Sequence, residues 1–176
     1  CCAASEPGLS AAMQVRDSTL DDVAAIAAIY GHHVVHGVAS FEIEPPGEME
    51  IGERRTAVLE VGLPHLVAER EGCVIGFAYA GPYRTRPAYH HTVENSVYVD
   101  PDHLGVGAGR ALLGALMTRC REAGRREMIA IIGDSGNRAS IALHEALGFR
   151  HVGTFENVGF KHGRWLDSVL MQRSLT

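Results

Sequence analysis

The most informative stretch of the chain is Leu104-Gly105-Val106-Gly107-Ala108-Gly109-Arg110. It follows a short strand pattern, Asn95 to Val99, and precedes an amphipathic helix pattern that closes at Gly124. Glycines let the chain turn tightly from a strand into a helix, and they expose backbone N–H groups at the positive end of the helix dipole. The stretch therefore predicts a phosphate-binding loop, with a plain glycine-rich turn as the alternative.

Two common phosphate loops do not fit this stretch. A dinucleotide fingerprint has Gly or Ala where this chain has Arg110, and it normally follows the first strand of a βαβ unit rather than lying in mid-chain. A nucleoside-triphosphate loop ends in Gly-Lys-Ser/Thr, which the sequence lacks. The loop therefore belongs to another class of phosphate site.

The rest of the chain alternates between strand and helix periodicities. The patterns predict one mixed α/β sheet covered by helices, because strands and helices alternate without a repeat or a linker. The predicted strands are Gln14 to Arg16, Val38 to Glu44, His65 to Arg70, Val74 to Ala80, Asn95 to Val99, Met128 to Ile132, Val152 to Phe160 and Ser168 to Gln172. Four helices are predicted. The first follows Thr19, the second covers Glu48 to Glu60, the third follows the glycine loop, and the fourth covers Ala139 to Leu147.

Length and composition limit the possible functions. A chain of 176 residues that is 46% hydrophobic predicts one globular domain, which we place at residues 13–176 after a small polar tail at residues 1–12. A net charge of −5 argues against a general nucleic-acid binder. The sequence has no apolar stretch long enough for a membrane span, and its four cysteines match neither a secreted disulfide framework nor a zinc site. We therefore expect a cytoplasmic protein.

The glycine loop resembles the pyrophosphate loop of the GNAT N-acetyltransferase superfamily, Gln/Arg-x-x-Gly-x-Gly/Ala. Gly107 and Gly109 match that pattern, and Leu104 departs from it because it stands where the superfamily usually has Gln or Arg. A second signature follows in Asn137-Arg138-Ala139-Ser140-Ile141-Ala142-Leu143-His144-Glu145-Ala146-Leu147-Gly148-Phe149, an Asn before a short helix that ends in Gly-Phe. Two signatures in order are far more specific than one loop.

Two further segments are similar to the phosphinothricin and methionine sulfone (or sulfoximine) N-acetyltransferases within that superfamily. They are Glu94-Asn95-Ser96-Val97-Tyr98-Val99 and Gly159-Phe160-Lys161-His162-Gly163-Arg164-Trp165-Leu166-Asp167. The resemblance implies a central twisted mixed sheet of six to seven strands flanked by about four helices. It also implies transfer of acetyl from acetyl-coenzyme A to the α-amine of a small amino-acid-like substrate, and it suggests a homodimer built through the last strands.

The resemblance also implies where the coenzyme binds. The backbone of Val97, Tyr98 and Val99 would pair with the pantetheine arm as an added strand does. The pyrophosphate would lie against the loop formed by Gly105, Val106, Gly107, Ala108, Gly109 and Arg110, with Asn137 and Ser140 beside the arm. Arg110 offers a bidentate phosphate contact, or else it is an ordinary solubilising residue on the helix surface.

Acetyl transfer to an amine needs a base, and it also needs a proton for the departing thiolate. Glu94, at the start of the strand pattern Asn95 to Val99, is the expected base, acting directly or through a water. His144 stands where the superfamily usually has the Tyr that serves as general acid, and an imidazole can give or take a proton near neutral pH. The direction of proton transfer at His144 stays open, and a solvated carboxylate and a helix-surface histidine are the alternatives.

Arg84 and Arg86 predict a site for a small anionic amino acid, because guanidinium groups bind carboxylate or phosphinate oxygens bidentately. The resemblance adds further residues to the expected substrate site, namely Phe41, Thr85, Tyr89, Glu94, Asn95, Ser96 and Lys161. An exposed basic loop is the alternative for residues 84–89. We expect no metal, since the pairs of histidines lack the further ligands of a metal site.

Two other functions are left open by the sequence. One is acetylation of a protein or peptide amine by the same fold, and the other is a sensor domain that binds coenzyme A without catalysis. Two arginines beside tyrosines favour a small-molecule pocket over an open peptide groove. The presence of both Glu94 and His144 argues against a sensor.

Overall fold

A computed structural model describes residues 12–176, so the predicted tail lies outside the described residues except for its last position. Seven strands form one sheet in the order β1-β2-β3-β4-β5-β7-β6. They are β1 (Gln14–Asp17), β2 (His65–Arg70), β3 (Cys73–Pro82), β4 (Thr92–Val99), β5 (Glu127–Gly133), β6 (Arg150–Lys161) and β7 (Arg164–Ser174). The mixed sheet of six to seven strands that the sequence predicts is confirmed.

One pair of strands interrupts an otherwise antiparallel sheet. β4 and β5 run parallel, and their pairing extends only from Thr92–Glu127 to Glu94–Ile129. Beyond Glu94, β4 stays paired with β3 as far as Val99, while β5 stays paired with β7 as far as Gly133. The two strands therefore diverge and leave a gap in the middle of the sheet.

Four helices cover the two faces of the sheet. They are α1 (Val23–His36), α2 (Glu48–Glu60), α3 (Ala108–Glu122) and α4 (Arg138–Ala146). On one face, Ile26, Tyr30 and Ile51 pack with Phe77 and Tyr98. On the other face, α3 buries Leu112, Leu113, Leu116 and Cys120 completely against the strands. In the described residues, no helix is long and apolar enough to cross a membrane.

The strand predicted at Val38 to Glu44 is wrong, because these residues form an irregular loop between α1 and α2. Side chains rather than a neighbouring strand bind this loop. The Ser40 hydroxyl accepts a hydrogen bond from the Glu42 backbone N–H at 3.2 Å, and the Lys161 ammonium donates to the Ser40 carbonyl oxygen at 2.6 Å. An alternation of apolar and polar residues predicts a half-buried surface, and here a loop that lies across the sheet supplies it.

The pH dependence of stability has an identifiable source in His65, which is 4% exposed and whose ring lies parallel to the neighbouring rings of Phe77 and Tyr79. Its Nδ1 has no hydrogen-bond partner within residues 12–176. Burial lowers the pKa of His65 from 6.5 to about 4. Because the folded protein holds this imidazole neutral, its contribution to stability is complete above pH 6.5 and is lost as the pH falls towards about 4.

We therefore predict that His65→Phe, which keeps a stacked ring without a titrating nitrogen, reduces the acid sensitivity of the protein. The loss in free energy of unfolding between pH 7 and pH 4 should shrink by about 3 kcal/mol, as urea titrations at several pH values would measure. His151→Phe, at an exposed histidine, is the matched control and should leave the pH dependence unchanged. Equal acid sensitivity of the His65→Phe variant and the wild type would contradict this account.

Candidate active site

The gap between β4 and β5 opens into a cavity of about 420 Å³, which we call the central cavity. Residues from β4, β5, α4, β7 and the loop after α1 line it. Those that the sequence predicted are Phe41, Glu94, Asn95, Ser96, Val97, Tyr98, Asn137, Ser140 and His144. The sheet divergence thus brings together both predicted catalytic residues, Glu94 and His144, and seven of the other predicted binding residues.

The backbone of β4 presents unpaired groups to this gap. Asp100 N donates to the Ile75 carbonyl at 2.9 Å and Tyr83 N to the Thr92 carbonyl at 3.3 Å. Because hydrogen-bonded residues alternate along an antiparallel pair, Tyr98 bonds to β3 while Val97 and Val99 turn their N–H and C=O groups towards β5. The pairing with β5 has ended there. The Val99 carbonyl oxygen lies 2.8 Å from His33 Nε2, so the Val97 groups and the Val99 N–H are the ones that can receive an added strand-like ligand.

A second opening of about 700 Å³, which we call the lateral groove, continues from the same strand edge towards Leu104. It shares Val97, Tyr98, Asn137 and Ser140 with the central cavity. The glycine loop lies beyond Leu104. The two openings therefore form a path from the centre of the sheet towards the start of α3.

The glycine loop has the backbone geometry that the sequence predicts. Gly105 and Gly107 have φ values of 77° and 87°, in the left-handed region, and Gly107 is the N-cap of α3. A Cβ on Gly109 would approach Leu143 to 3.3 Å, so glycine also lets α3 pack closely on α4. Gly105, Val106 and Gly107 are exposed just before the N-terminus of α3, where a helix attracts an anion, and Arg110 is an exposed cation in the first turn.

Glu94 enters the central cavity from the side of α1 and α2, as the alternation of side chains along β4 requires. The strand begins at Thr92 rather than Asn95, so Glu94 lies inside β4 and not at its start. Burial raises the pKa of Glu94, and the nearby Arg84 guanidinium partly opposes this shift. A half-buried carboxylate with a raised pKa is suited to accept a proton.

His144 reaches the cavity from the opposite face, where it is 4% exposed. Its Nδ1 lies 2.8 Å from the Ser140 carbonyl oxygen, and its Nε2 lies 3.1 Å from Asn95 Oδ1. The Phe149 ring packs edge-on against the imidazole at 4.9 Å. Burial lowers the pKa of His144 below its ordinary value, and the Ser140 carbonyl opposes this shift only in part.

The loop after β3 lies outside the cavity lining. Arg84, Thr85, Arg86 and Tyr89 are exposed, and the Arg84 guanidinium stacks on the Tyr83 ring at 4.9 Å. Only Arg84 acts on the site directly, through its field on Glu94. The structure thus connects one arginine of the predicted substrate loop to the carboxylate and leaves the other three residues at the surface.

Lys161 is buried at 4% exposure, but it too lies outside the cavity lining. Its ammonium donates to the Ser40 carbonyl and lies in the field of Glu42. Burial lowers the pKa of Lys161, and Glu42 raises it. Lys161 therefore holds the loop after α1 in place.

The Phe41 ring, which lines the cavity, packs into a space between two glycines. A Cβ on Gly133 would lie 2.8 Å from the Phe41 ring, and a Cβ on Gly159 would overlap the same ring. The glycines at these positions of β5 and β6 therefore leave the space that the ring occupies. No spacing rule indicates this contact, because it joins residues that are distant in the sequence.

The sequence analysis missed Glu42, which lines the central cavity from the loop. Tyr30 OH donates to Glu42 Oε1 at 2.9 Å, and the Arg54 guanidinium donates to the same oxygen at 2.7 Å. Burial raises the pKa of Glu42, but these donors outweigh it and the net shift is downward. Glu42 is thus a fixed anion, whereas Glu94 has a raised pKa.

Within the described part of the chain, no group of three or more His, Cys, Asp or Glu side chains is placed to hold a metal ion. The geometry instead defines a site for a long ligand that pairs with a strand edge and carries an anionic group to a helix N-terminus. Comparisons with known proteins identify the family with this architecture.

A family model described as the acetyltransferase (GNAT) family matches residues 24–149. The chain is 55% identical over 161 residues to a phosphinothricin N-acetyltransferase of Alcaligenes faecalis, covering 92% of this chain and 80% of that protein. It is 40% identical over 166 residues to an L-methionine sulfoximine/L-methionine sulfone acetyltransferase of Salmonella typhimurium, covering 93% and 95%. A GNAT superfamily phosphinothricin acetyltransferase from Sinorhizobium meliloti, solved in complex with AcCoA, has a TM-score of 0.89 and 45% identity, covering 92% of this chain and 88% of that chain.

The chain therefore belongs to the GNAT acetyltransferase family. The predicted fold and the predicted enzyme class, an acetyl-CoA-dependent N-acetyltransferase, are confirmed.

The glycine loop gives a prediction with a matched control. Gly107→Ala and Gly62→Ala each place a Cβ at a left-handed residue with no atom within 4 Å, so strain is the common effect. Each should lower the free energy of unfolding by about 1 kcal/mol. Only Gly107→Ala should also weaken coenzyme A binding, by about tenfold in calorimetry, because only this residue shapes the anion site. Equal coenzyme affinity of the two variants would refute the assignment of the loop.

Proposed function

We propose that this protein transfers the acetyl group of acetyl-coenzyme A to the α-amine of a small anionic amino acid such as phosphinothricin, methionine sulfone or methionine sulfoximine. The observation that carries the proposal is the position of Glu94, a half-buried carboxylate with a raised pKa in a cavity beside an open strand edge. The names of the related proteins support the choice of substrates. Acetylation of phosphinothricin would also confer resistance to that herbicide.

The proposed chemistry follows from the two faces of the gap. The pantetheine arm pairs with the Val97 backbone groups and the Val99 N–H and brings the thioester into the central cavity. Glu94 takes a proton from the substrate amine, directly or through a water, and the amine nitrogen then bonds to the thioester carbon. The carbonyl oxygen becomes an oxyanion that a strand-edge N–H can stabilise, and the C–S bond breaks with its electron pair on sulfur.

Charge supports a small anionic amino acid as the substrate. Arg84 lies close enough to lower the pKa of Glu94, so its guanidinium can receive the acidic group of a substrate whose amine faces that carboxylate. Glu42, held as an anion by Arg54 and Tyr30, adds negative charge for an ammonium group. A cavity of about 420 Å³ suits an amino acid better than a protein surface, which weighs against acetylation of a peptide amine.

We also propose that the protein is a cytoplasmic homodimer. β6 is an edge strand of the sheet, and it and β7 expose large apolar side chains that a second copy would cover. These side chains are Val152, Phe155, Val158, Phe160 and Trp165, each at least 50% exposed. The cytoplasm is proposed because the acetyl donor is made and used there.

The dimer proposal predicts that Phe155→Arg converts the protein to a monomer in sedimentation velocity, because a charge would have to be buried at the interface. Met49→Arg, at an apolar residue of α2 that is 80% exposed, should leave the oligomeric state unchanged. A wild-type protein that sediments as a monomer would exclude the dimer.

The catalytic proposal predicts that Glu94→Gln lowers kcat at least 100-fold while coenzyme A still binds, because removal of a general base typically costs two to four orders of magnitude in rate. Thiol release would be followed with acetyl-coenzyme A and methionine sulfone, methionine sulfoximine or phosphinothricin. Glu60→Gln, at an exposed carboxylate of α2, is the control and should behave as the wild type.

The pH dependence adds a second readout. Since burial raises the pKa of Glu94, the acid limb of kcat/KM should lie above the ordinary range of a glutamate and disappear in Glu94→Gln. If the protein binds the coenzyme but acetylates none of the three substrates, the small-amino-acid proposal is wrong. If turnover survives Glu94→Gln, another group is the base.

A further inference from the structure

A buried chain of polar groups crosses the gap between β4 and β5. Asn95 is 7% exposed, and its side-chain Nδ2 donates to the Ile129 carbonyl oxygen at 3.1 Å. Its Oδ1 faces His144 Nε2 at 3.1 Å, and His144 Nδ1 faces the Ser140 carbonyl oxygen at 2.8 Å. Both ends of the chain are therefore backbone carbonyl oxygens, which can only accept hydrogen bonds.

The number of hydrogens that this chain of polar groups can donate depends on the charge of His144. Three contacts need three donated hydrogens, one for each. The Asn95 amide can supply one, because its oxygen and its nitrogen face opposite neighbours. A neutral imidazole supplies one more, which leaves two acceptors facing each other, and rotating the Asn95 amide only moves that conflict to Ile129. An imidazolium supplies two, and all three contacts are then satisfied.

We propose that Asn95 is a positioning residue that, together with the Ser140 carbonyl, stabilises the imidazolium form of His144 and so makes His144 the acid that protonates the departing thiolate. The second half of this statement rests on the proposed function. The sequence analysis placed Asn95 in the substrate site, and the structure instead gives both ends of its side chain partners within the protein. Under this proposal the proton moves from His144 to the thiolate, a direction that the sequence leaves open.

The surroundings of His144 make the Ser140 carbonyl oxygen and Asn95 Oδ1 important for its charged form. Burial disfavours the charged form of His144, and no charged side chain contributes to its pKa. Phe149 covers one side of the ring, and Ser168 of β7 also lines the cavity. Glu94 and Glu42 line the same cavity, but neither carboxylate contributes to the pKa of His144. The net pKa of His144 is lowered. Its imidazolium form has the Ser140 carbonyl and Asn95 Oδ1 as hydrogen-bond acceptors, at 2.8 Å and 3.1 Å.

In the proposed step, His144 gives its Nε2 proton to the departing sulfur and later regains one. As the C–S bond breaks, the proton on Nε2 moves to sulfur and gives the free thiol of coenzyme A. His144 is left neutral with one unsatisfied contact, which favours its reprotonation from water. Glu94 has taken one proton from the substrate ammonium and releases it to water, and the nitrogen loses its second proton to water as the tetrahedral intermediate collapses to the amide. His144 regains one proton from water, so one proton is released overall and both groups return to their starting states.

Titration of His144 by NMR in the wild type, Asn95→Leu and Asn95→Asp tests the stabilisation without any substrate. We expect Asn95→Leu, which keeps the shape and removes the acceptor, to lower the proton affinity of His144 about tenfold, and Asn95→Asp to raise it. His65, whose pKa is lowered to about 4 by burial, serves as the internal control, and its titration should not move. An unchanged His144 titration in both variants would overturn the proposal, and Asn95→Asp supplies the test if Asn95→Leu does not fold.

Kinetics then separate positioning from substrate binding. Asn95→Leu should lower kcat about tenfold or more with little change in either KM, and it should shift the basic limb of the pH profile to lower pH. In a His144→Gln background the same substitution should have no further effect on kcat, because Asn95 acts through the imidazole. A raised substrate KM with an unmoved pH profile would show substrate binding instead. Absence of turnover in the wild type would count against the proposed function and leave the NMR result to decide the role of Asn95.

Discussion

The divergence of β4 from β5 is the feature on which the rest of the site depends. A parallel pair that ends at Glu94 and Ile129 leaves the next residues of both strands without their partners. Buried backbone groups without partners are costly, so such a gap persists only where a ligand, a side chain or water can take their place. The Asn95 side chain bridges the narrow end of the gap to the Ile129 carbonyl, and Val97 lies at the open end, where we propose that the coenzyme binds.

The gap also explains why the two ionisable groups of the site come from opposite faces. Side chains alternate along β4, so Glu94 and Asn95 point to different sides of the sheet although they are neighbours in sequence. Glu94 meets the loop after α1, and Asn95 meets His144 on α4. The amine and the leaving thiol can thus each face their own proton-transfer group without the two groups touching.

Local sequence predicted the parts of the site that backbone geometry determines. The glycine loop follows from the sequence because Gly105 and Gly107 adopt backbone angles that other residues rarely take. Asn137, which the resemblance puts before the fourth helix and beside the coenzyme arm, is in the structure the N-cap of α4. The contacts that depend on folding were not predicted. Phe41 fits against Gly133 and Gly159, and Glu42 is bound by Arg54 and Tyr30, although no spacing relates these residues. The strand predicted at Val38 to Glu44 failed for the same reason, since alternation reports burial and not pairing.

Glu42 and Glu94 have the same side chain and line the same cavity, but their surroundings give them different roles. Glu42 receives hydrogen bonds from Arg54 and Tyr30, so its charge is fixed, whereas Glu94 has only the field of the exposed Arg84 to offset its burial. A substrate whose acidic group binds Arg84 would withdraw that field from Glu94 and raise its proton affinity further. Binding of the anionic substrate would then itself strengthen the base that removes the proton from its amine. In this arrangement the acidic group of the substrate contributes to catalysis as well as to affinity, so an amine without an acidic group would lose kcat in addition to binding.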